Sequence, residues 1–254
     1  MKILALLLAA ASLAAYAHDV TRPAEGVALD ARLGAKIPPG LAFVDDQGRT
    51  TTLSAALGGR PGVVVLGYAT CQDLCPVTLA GAARALRDGG LVPGRDYAAL
   101  FVSIDPRDDP AALASAKARD LPAKAQPAWT FLSNPASARV LARDIGYRFR
   151  HDDDPDAIAH AAGFVVLTPQ ALVSRYFPGV RFDPTDLRLA LAEASHGRVG
   201  SLVDRLVLLC YHFDPVTGKY TMRVLDLLRA AIACFFIAAV AACVWLRANR
   251  PGAA

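Results

Sequence analysis

The sequence predicts an α/β domain, a central sheet covered by helices, followed by one C-terminal membrane-spanning helix. Three observations carry this. Short apolar runs of strand type alternate with segments of helical spacing between residues 63 and 145. Two further runs, 163–167 and 172–177, flank the turn Thr168-Pro169-Gln170-Ala171, a hairpin signal. Residues 230–246 (AAIACFFIAAVAACVWL) then carry no charge.

Each element has its own signal. Residues 18–40 are rich in Ala, Gly and Pro, end in Ile37-Pro38-Pro39-Gly40, and read as a loose arm before a domain spanning 41–195. Residues 63–68 (VVVLGY) form a continuous apolar strand. Leu79, Ala82, Ala83 and Leu86 follow at helical spacing, closing at Gly89-Gly90, with Pro76 suited to the first helical position. Residues 97–104 are a second buried strand. Asp105 and Asp108 shape the next turn and cap a helix that has Pro110 in its first turn and runs to about Arg119. Residues 129–132 are a third strand, and Ser133-Asn134-Pro135 caps a helix to about Ile145. After the hairpin, Asp183-Pro184-Thr185-Asp186 starts a last helix to about Ala194.

Hydrophobic residues make up 54% of the 254-residue chain, and the excess sits at its two ends. Residues 1–17 have a charged start at Lys2, an apolar run and the small-x-small site Ala15-Tyr16-Ala17. That pattern is a signal peptide cleaved before His18, with an uncleaved anchor as the alternative. At the other end, residues 225–246 reach the ~20 residues that a bilayer span requires. Trp245 sits where an interfacial anchor belongs, and Arg247 and Arg250 in the tail 247–254 follow the positive-inside rule. The domain is therefore expected on the periplasmic side of the inner membrane, with 196–222 as a juxtamembrane connector. The net charge of +4 comes from the two ends and leaves 18–222 neutral, so a basic field for nucleic acid is absent.

The chemistry concentrates in Tyr68-Ala69-Thr70-Cys71-Gln72-Asp73-Leu74-Cys75-Pro76. Two cysteines lie in an exposed turn between a buried strand and a helix. Cys75 at the helix N-terminus meets a dipole and free N–H groups that favour a thiolate, which is both nucleophile and soft metal ligand. A structural disulfide is the plainer reading in an exported domain. Two sulfurs leave a metal under-coordinated. Among His18, His151, His160, His196 and His212, His160 is the best third ligand because it precedes the strand 163–167 at the end of the sheet.

Weaker features have plain explanations. Asp73 reads as a solvated loop carboxylate, and His151 with Asp152, Asp153, Asp154 and Asp156 as a solvated acidic loop. Cys234 and Cys243 are small apolar residues of the span. Cys210-Tyr211-His212 leaves a second metal contact open.

The chain resembles the Sco/SenC family of thioredoxin-like copper-binding assembly factors for cytochrome c oxidase. The likeness covers about residues 40–195 and rests on the Gly67–Pro76 motif, on Val102-Ser103-Ile104-Asp105-Pro106-Arg107-Asp108, and on His160 ahead of a strand and hairpin. The resemblance implies a thioredoxin-like fold, copper as Cu(I) or Cu(II) on Cys71, Cys75 and His160, and a Cys71–Cys75 disulfide in the oxidised metal-free form. It implies delivery to the oxidase copper-site subunit, with a copper donor or a thiol reductant upstream. Gln72 stands where the family usually has proline. Ala159 stands where aspartate is common, so the partner of the His160 ring is missing or comes from elsewhere. The C-terminal anchor and the Cys210–Pro215 motif resemble a bacterial subgroup.

Two other function classes remain. A dedicated thiol–disulfide oxidoreductase would use Cys71 and Cys75 to keep target cysteines reduced, although CxxxC spacing and the absence of proline in His160-Ala161-Ala162-Gly163 weaken general exchange. A tethered binding module would carry no metal and an inert disulfide.

Overall fold

Valine, leucine and phenylalanine runs bounded by turn residues build the sheet. The computed structural model describes residues 26–151 and 157–199, the strands Tyr211–Asp214 and Lys219–Met222, and residue 232. In chain order the strands of the domain are β1 Ala28–Leu29, β2 Ala42–Asp45, β3 Thr50–Thr52, β4 Gly62–Gly67, β5 Ala98–Ser103, β6 Trp129–Ser133, β7 Tyr147–Arg148, β8 Arg150–His151, β9 Ile158–Ala159, β10 Gly163–Leu167 and β11 Val173–Pro178. One seven-stranded sheet has the order β11-β10-β4-β5-β6-β2-β3. Its centre, β4, β5 and β6, is parallel, and antiparallel strands complete both sides. Every residue of β4 and β5 is buried, as expected of strands covered on both faces.

Alternation along the strands sends side chains to two cores. Val63, Val65, Phe101, Phe131 and Phe164 face one layer, covered by the helices Leu74–Asp88, Pro110–Asp120 and Pro184–Ser195. Val64, Leu66, Leu100, Val102 and Leu132 face the other, covered by the helices Leu53–Leu57 and Pro135–Asp144. The sheet with helices on both faces is the arrangement that the sequence predicts.

Several local expectations change. The cysteine helix begins at Leu74, so Pro76 occupies its third position rather than its first. Pro76 still fits, because the first four N–H groups of a helix have no intrahelical acceptor. Asp109, not Asp105 or Asp108, caps the Pro110–Asp120 helix by accepting from Ala112 N at 2.7 Å. The hairpin β2–β3 and the short helix after it have no counterpart in the sequence reading.

The arm 18–40 is not loose where it is described. Strand β1 pairs with β7, and Ile37 is fully buried, its N–H bonded to Ala171 O at 2.9 Å. These partners lie more than a hundred residues away in sequence, where local periodicity carries no information. No helix among the described residues is long and apolar enough to cross a membrane. The predicted signal peptide lies outside the described residues, as does all of the predicted span except residue 232. Within the connector, Tyr211–Asp214 and Lys219–Met222 pair antiparallel.

Candidate metal centre

Strand β4 ends at Gly67, and the chain turns through Cys71 into the helix that starts at Leu74. Thr70, Gln72 and Asp73 face solvent, while both cysteines turn inward, Cys71 to 4% exposure and Cys75 to 2%. The turn is exposed as expected, but its sulfurs are not. Cys75 belongs to the second core, with Leu66, Tyr68 and Ala161, rather than to the core that holds Leu79, Ala82, Ala85 and Leu86 of its helix. Gly67 makes this possible. A Cβ there would lie 2.8 Å from Cys75 Sγ and 2.8 Å from Phe101 Cε2, closer than side chains pack.

His160 arrives from the other side, between β9 and β10, and is 8% exposed. Gly163, at φ +133°, lets the chain enter β10 against Phe177, where a side chain would meet the Phe177 carbonyl. His160 Nε2 lies 3.3 Å from Cys75 Sγ. The Cys71 and Cys75 sulfurs and a ring nitrogen of His160 all lie within 4.8 Å of one another. Metal–sulfur and metal–nitrogen bonds run about 2.0–2.3 Å, so donors this close suit a single ion. The two sulfurs are not bonded to each other. The ring is framed by Tyr68, edge-on at 5.8 Å between centroids, and by Tyr147, whose hydroxyl is 2.7 Å from Nδ1.

The two sulfurs differ electrostatically. The Cys75 side chain stabilises the Cys71 thiolate, and the His160 side chain and the backbone N–H groups of Cys75 and Asp73 add to this. Together they hold the Cys71 thiol far below its usual range against the opposing effect of burial. Burial pushes Cys75 well above its usual range, and the neighbouring Cys71 charge adds to it. This reverses the expectation from helix position. The helix end does supply N–H groups to a thiolate, but Cys71 collects them, because Cys75 itself has turned into the apolar core.

Polar bonds brace the cysteine loop from outside. Asp108 accepts from Ala69 N at 2.7 Å and from the Ser103 hydroxyl. The Arg119 guanidinium donates to Ala69 O at 2.9 Å and Cys71 O at 3.1 Å, and is itself paired with Asp120. Sequence reasoning gave Asp108 only a turn or capping role and missed Arg119 and Tyr147. The Val102–Asp108 motif was visible, but its target, the loop beginning at Ala69, is not local to it.

The other predicted residues stand apart. Asp73 precedes the helix, exposed, with no side-chain capping bond. Asp105 is buried and pairs with Arg107 at 2.8 Å, shaping the turn as expected. His151 is exposed in β8, and His196 is exposed at the end of the last helix. Asp152, Asp153, Asp154, Asp156, His18, Cys210, Cys234 and Cys243 lie outside the described residues. His212 lies in the strand Tyr211–Asp214.

Comparison with known proteins bears on the family and the fold. The SCO1/SenC family model matches residues 30–194. Among solved structures, the chain is similar to a protein of Aquifex aeolicus VF5 described as a candidate electron transfer protein, with 21% identity, TM-score 0.57, and coverage of 66% of this chain and 96% of that one. It is also similar to a SCO1/SenC family lipoprotein of Bacillus anthracis str. Ames, at 15% identity and TM-score 0.51, covering 68% and 99%. A third is ScoI of Bradyrhizobium japonicum with copper bound, at 24% identity and TM-score 0.49, covering 64% and 99%. A search of curated proteins finds no match. The matched stretch spans well over half of the chain and encloses Cys71, Cys75 and His160, and the chain belongs to the SCO1/SenC family.

Proposed function

We propose that the chain is a copper metallochaperone that holds one ion on Cys71, Cys75 and His160 and passes it to the copper site of a cytochrome c oxidase. The observation that carries this reading is the cluster itself: two sulfurs and an imidazole nitrogen within 4.8 Å of one another. Thiolates select Cu(I), and an added imidazole makes Cu(II) acceptable. Zinc tolerates the same donors, but structural zinc sites close with four protein ligands. Among the described residues this cluster supplies three. A three-ligand site with an open position suits an ion that must arrive and leave. The oxidase as target rests on the family resemblance.

In the oxidised metal-free form, the two sulfurs join as a disulfide, which a thiol reductant reopens before a copper donor loads the site. The asymmetry of the cysteines favours a second reading, a dedicated dithiol reductase, because one anionic and one protonated thiol make a reactive pair. The two readings separate at His160, which is a ligand in the first and dispensable in the second. In cells that need this protein to build an active copper oxidase, His160→Ala is expected to fail while its dithiol still exchanges with a small disulfide. Full oxidase activity of that variant at limiting copper gives the function to the reductase.

The placement belongs to the same proposal: residues 1–17 export the chain, and 225–246 anchor it with the domain in the periplasm. Anchoring the chain and its target in one membrane raises their effective concentration without new contacts. Protease added to intact spheroplasts should digest the domain; complete protection overturns the placement.

A further inference from the structure

We infer that the chain carries a second binding site at the end of the sheet opposite the metal centre: a cavity that takes a small aromatic carboxylate bearing a second oxygen acceptor. It shares no residue with the metal centre and goes beyond the copper reading above.

Strands β4, β5 and β6 are parallel, and the cysteine loop follows the C-terminal end of β4. The cavity lies at the other end, where Tyr97 leads into β5 and Trp129 begins β6. The length of a strand such as β5, roughly 20 Å, separates the two sites. The cavity holds about 590 Å³, within the roughly 300–1,000 Å³ of small-molecule sites. Its walls are mostly apolar, with Ala83 of the Leu74–Asp88 helix, Leu91 and Pro122 among them. Tyr97 and Trp129 form its floor, 3% and 2% exposed. Two aromatic rings between small wall residues suit a planar aromatic body.

The polar groups of the cavity lack partners of two kinds. A buried tyrosine O–H or tryptophan N–H usually finds an acceptor. Here neither the Tyr97 hydroxyl nor the Trp129 indole N–H bonds to a described residue, and neither is sealed from solvent. Burial pushes the Tyr97 hydroxyl up to about 12, and the Asp96 charge adds to this, so it stays a neutral donor. An oxygen acceptor on the ligand supplies what these donors lack. At the mouth stand Arg84, Arg87 and Lys124, all exposed. Arg87 pairs with Asp88 at 2.9 Å, but Arg84 and Lys124 pair with no described carboxylate. No acidic residue lines the cavity among the described residues, and nearby Asp96 is held by Arg95 and by Val92 N. Donors at the floor, apolar walls and cations at the mouth match a flat ring with an oxygen acceptor at one end and a carboxylate at the other.

The test uses the full chain labelled with 15N-tryptophan and the probe 6-acetyl-2-naphthoate, which carries a ketone and a carboxylate at opposite ends of a flat body. The chain has two tryptophans, so Trp245→Phe identifies the Trp129 indole signal. The probe should shift that signal saturably within about 10 mM, the range open to a ligand of its size. Its amide, 6-acetyl-2-naphthamide, lacks the charge and should bind about 3–10-fold more weakly, as expected of exposed ion pairs. The analogue 6-isopropyl-2-naphthoate lacks the acceptor and should bind about 10-fold more weakly, because it leaves the floor donors unpaired. Arg84→Gln combined with Lys124→Gln changes only exposed side chains. This double variant should bind the naphthoate about as weakly as the wild type binds the amide, with amide binding unchanged. No saturable shift of the Trp129 signal, equal affinity for the probe and either analogue, or wild-type affinity for the probe in the double variant overturns the site.

Discussion

Cys71→Ser or Cys75→Ser is expected to abolish tight copper binding. The wild-type chain, reduced and titrated without oxygen, should take one copper. Either serine variant should lose at least about 100-fold in affinity, more than the loss of an outer partner typically costs. The physical reason is that a serine hydroxyl keeps its proton and is a hard oxygen, where copper requires a soft anionic sulfur. The two variants are not equivalent. Cys71→Ser removes the anion stabilised by the Cys75 and His160 side chains and by loop N–H groups. Cys75→Ser leaves that anion in place and puts a hydroxyl into an apolar core position, beside the Cys71 sulfur and 3.3 Å from His160 Nε2. His160→Ala should weaken Cu(II) more than Cu(I), since two thiolates alone still hold Cu(I). Wild-type stoichiometry and affinity in both serine variants would remove the cysteines from the site.

Gly67→Ala should damage fold and site together. The new methyl would meet Cys75 Sγ and Phe101 Cε2, each at 2.8 Å, with Phe101 Cζ at 3.1 Å. Phe101 cannot retreat easily, because it is 1% exposed and stacks on Phe131 at 4.5 Å. Overpacking of this kind costs about 1–3 kcal/mol. For a domain of this size that lowers the melting temperature by roughly 2–4 °C per kcal/mol. The displaced sulfur should also bind copper more weakly. Gly40→Ala is the control, because a Cβ there meets nothing within 4 Å. A Gly67→Ala protein with wild-type melting and copper affinity would show that the end of β4 yields and that this packing does not set the sulfur position.

What could be read in the chain was local. The buried runs of β4, β5, β6 and β10 announce themselves by composition, and the helices by spacing and by Asn134, Asp183 and their prolines. The cysteine turn and His160 were legible because few residue types bind soft metals, and each stands at a recognisable strand end. The sequence by itself thus determined the layered domain and singled out the three residues that the fold brings within 4.8 Å of one another. The tertiary structure decided what depends on distant partners. It placed the Cys75 sulfur in an apolar core, where burial suppresses its ionisation, and gave the N–H groups around the loop to Cys71 instead. It turned the N-terminal arm into a strand partner for β7. It brought Tyr147 to the His160 ring and Asp108 to the Ala69 amide. Periodicity reports which face of an element is apolar, but hydrogen bonds and desolvation depend on neighbours that only the folded chain brings within reach.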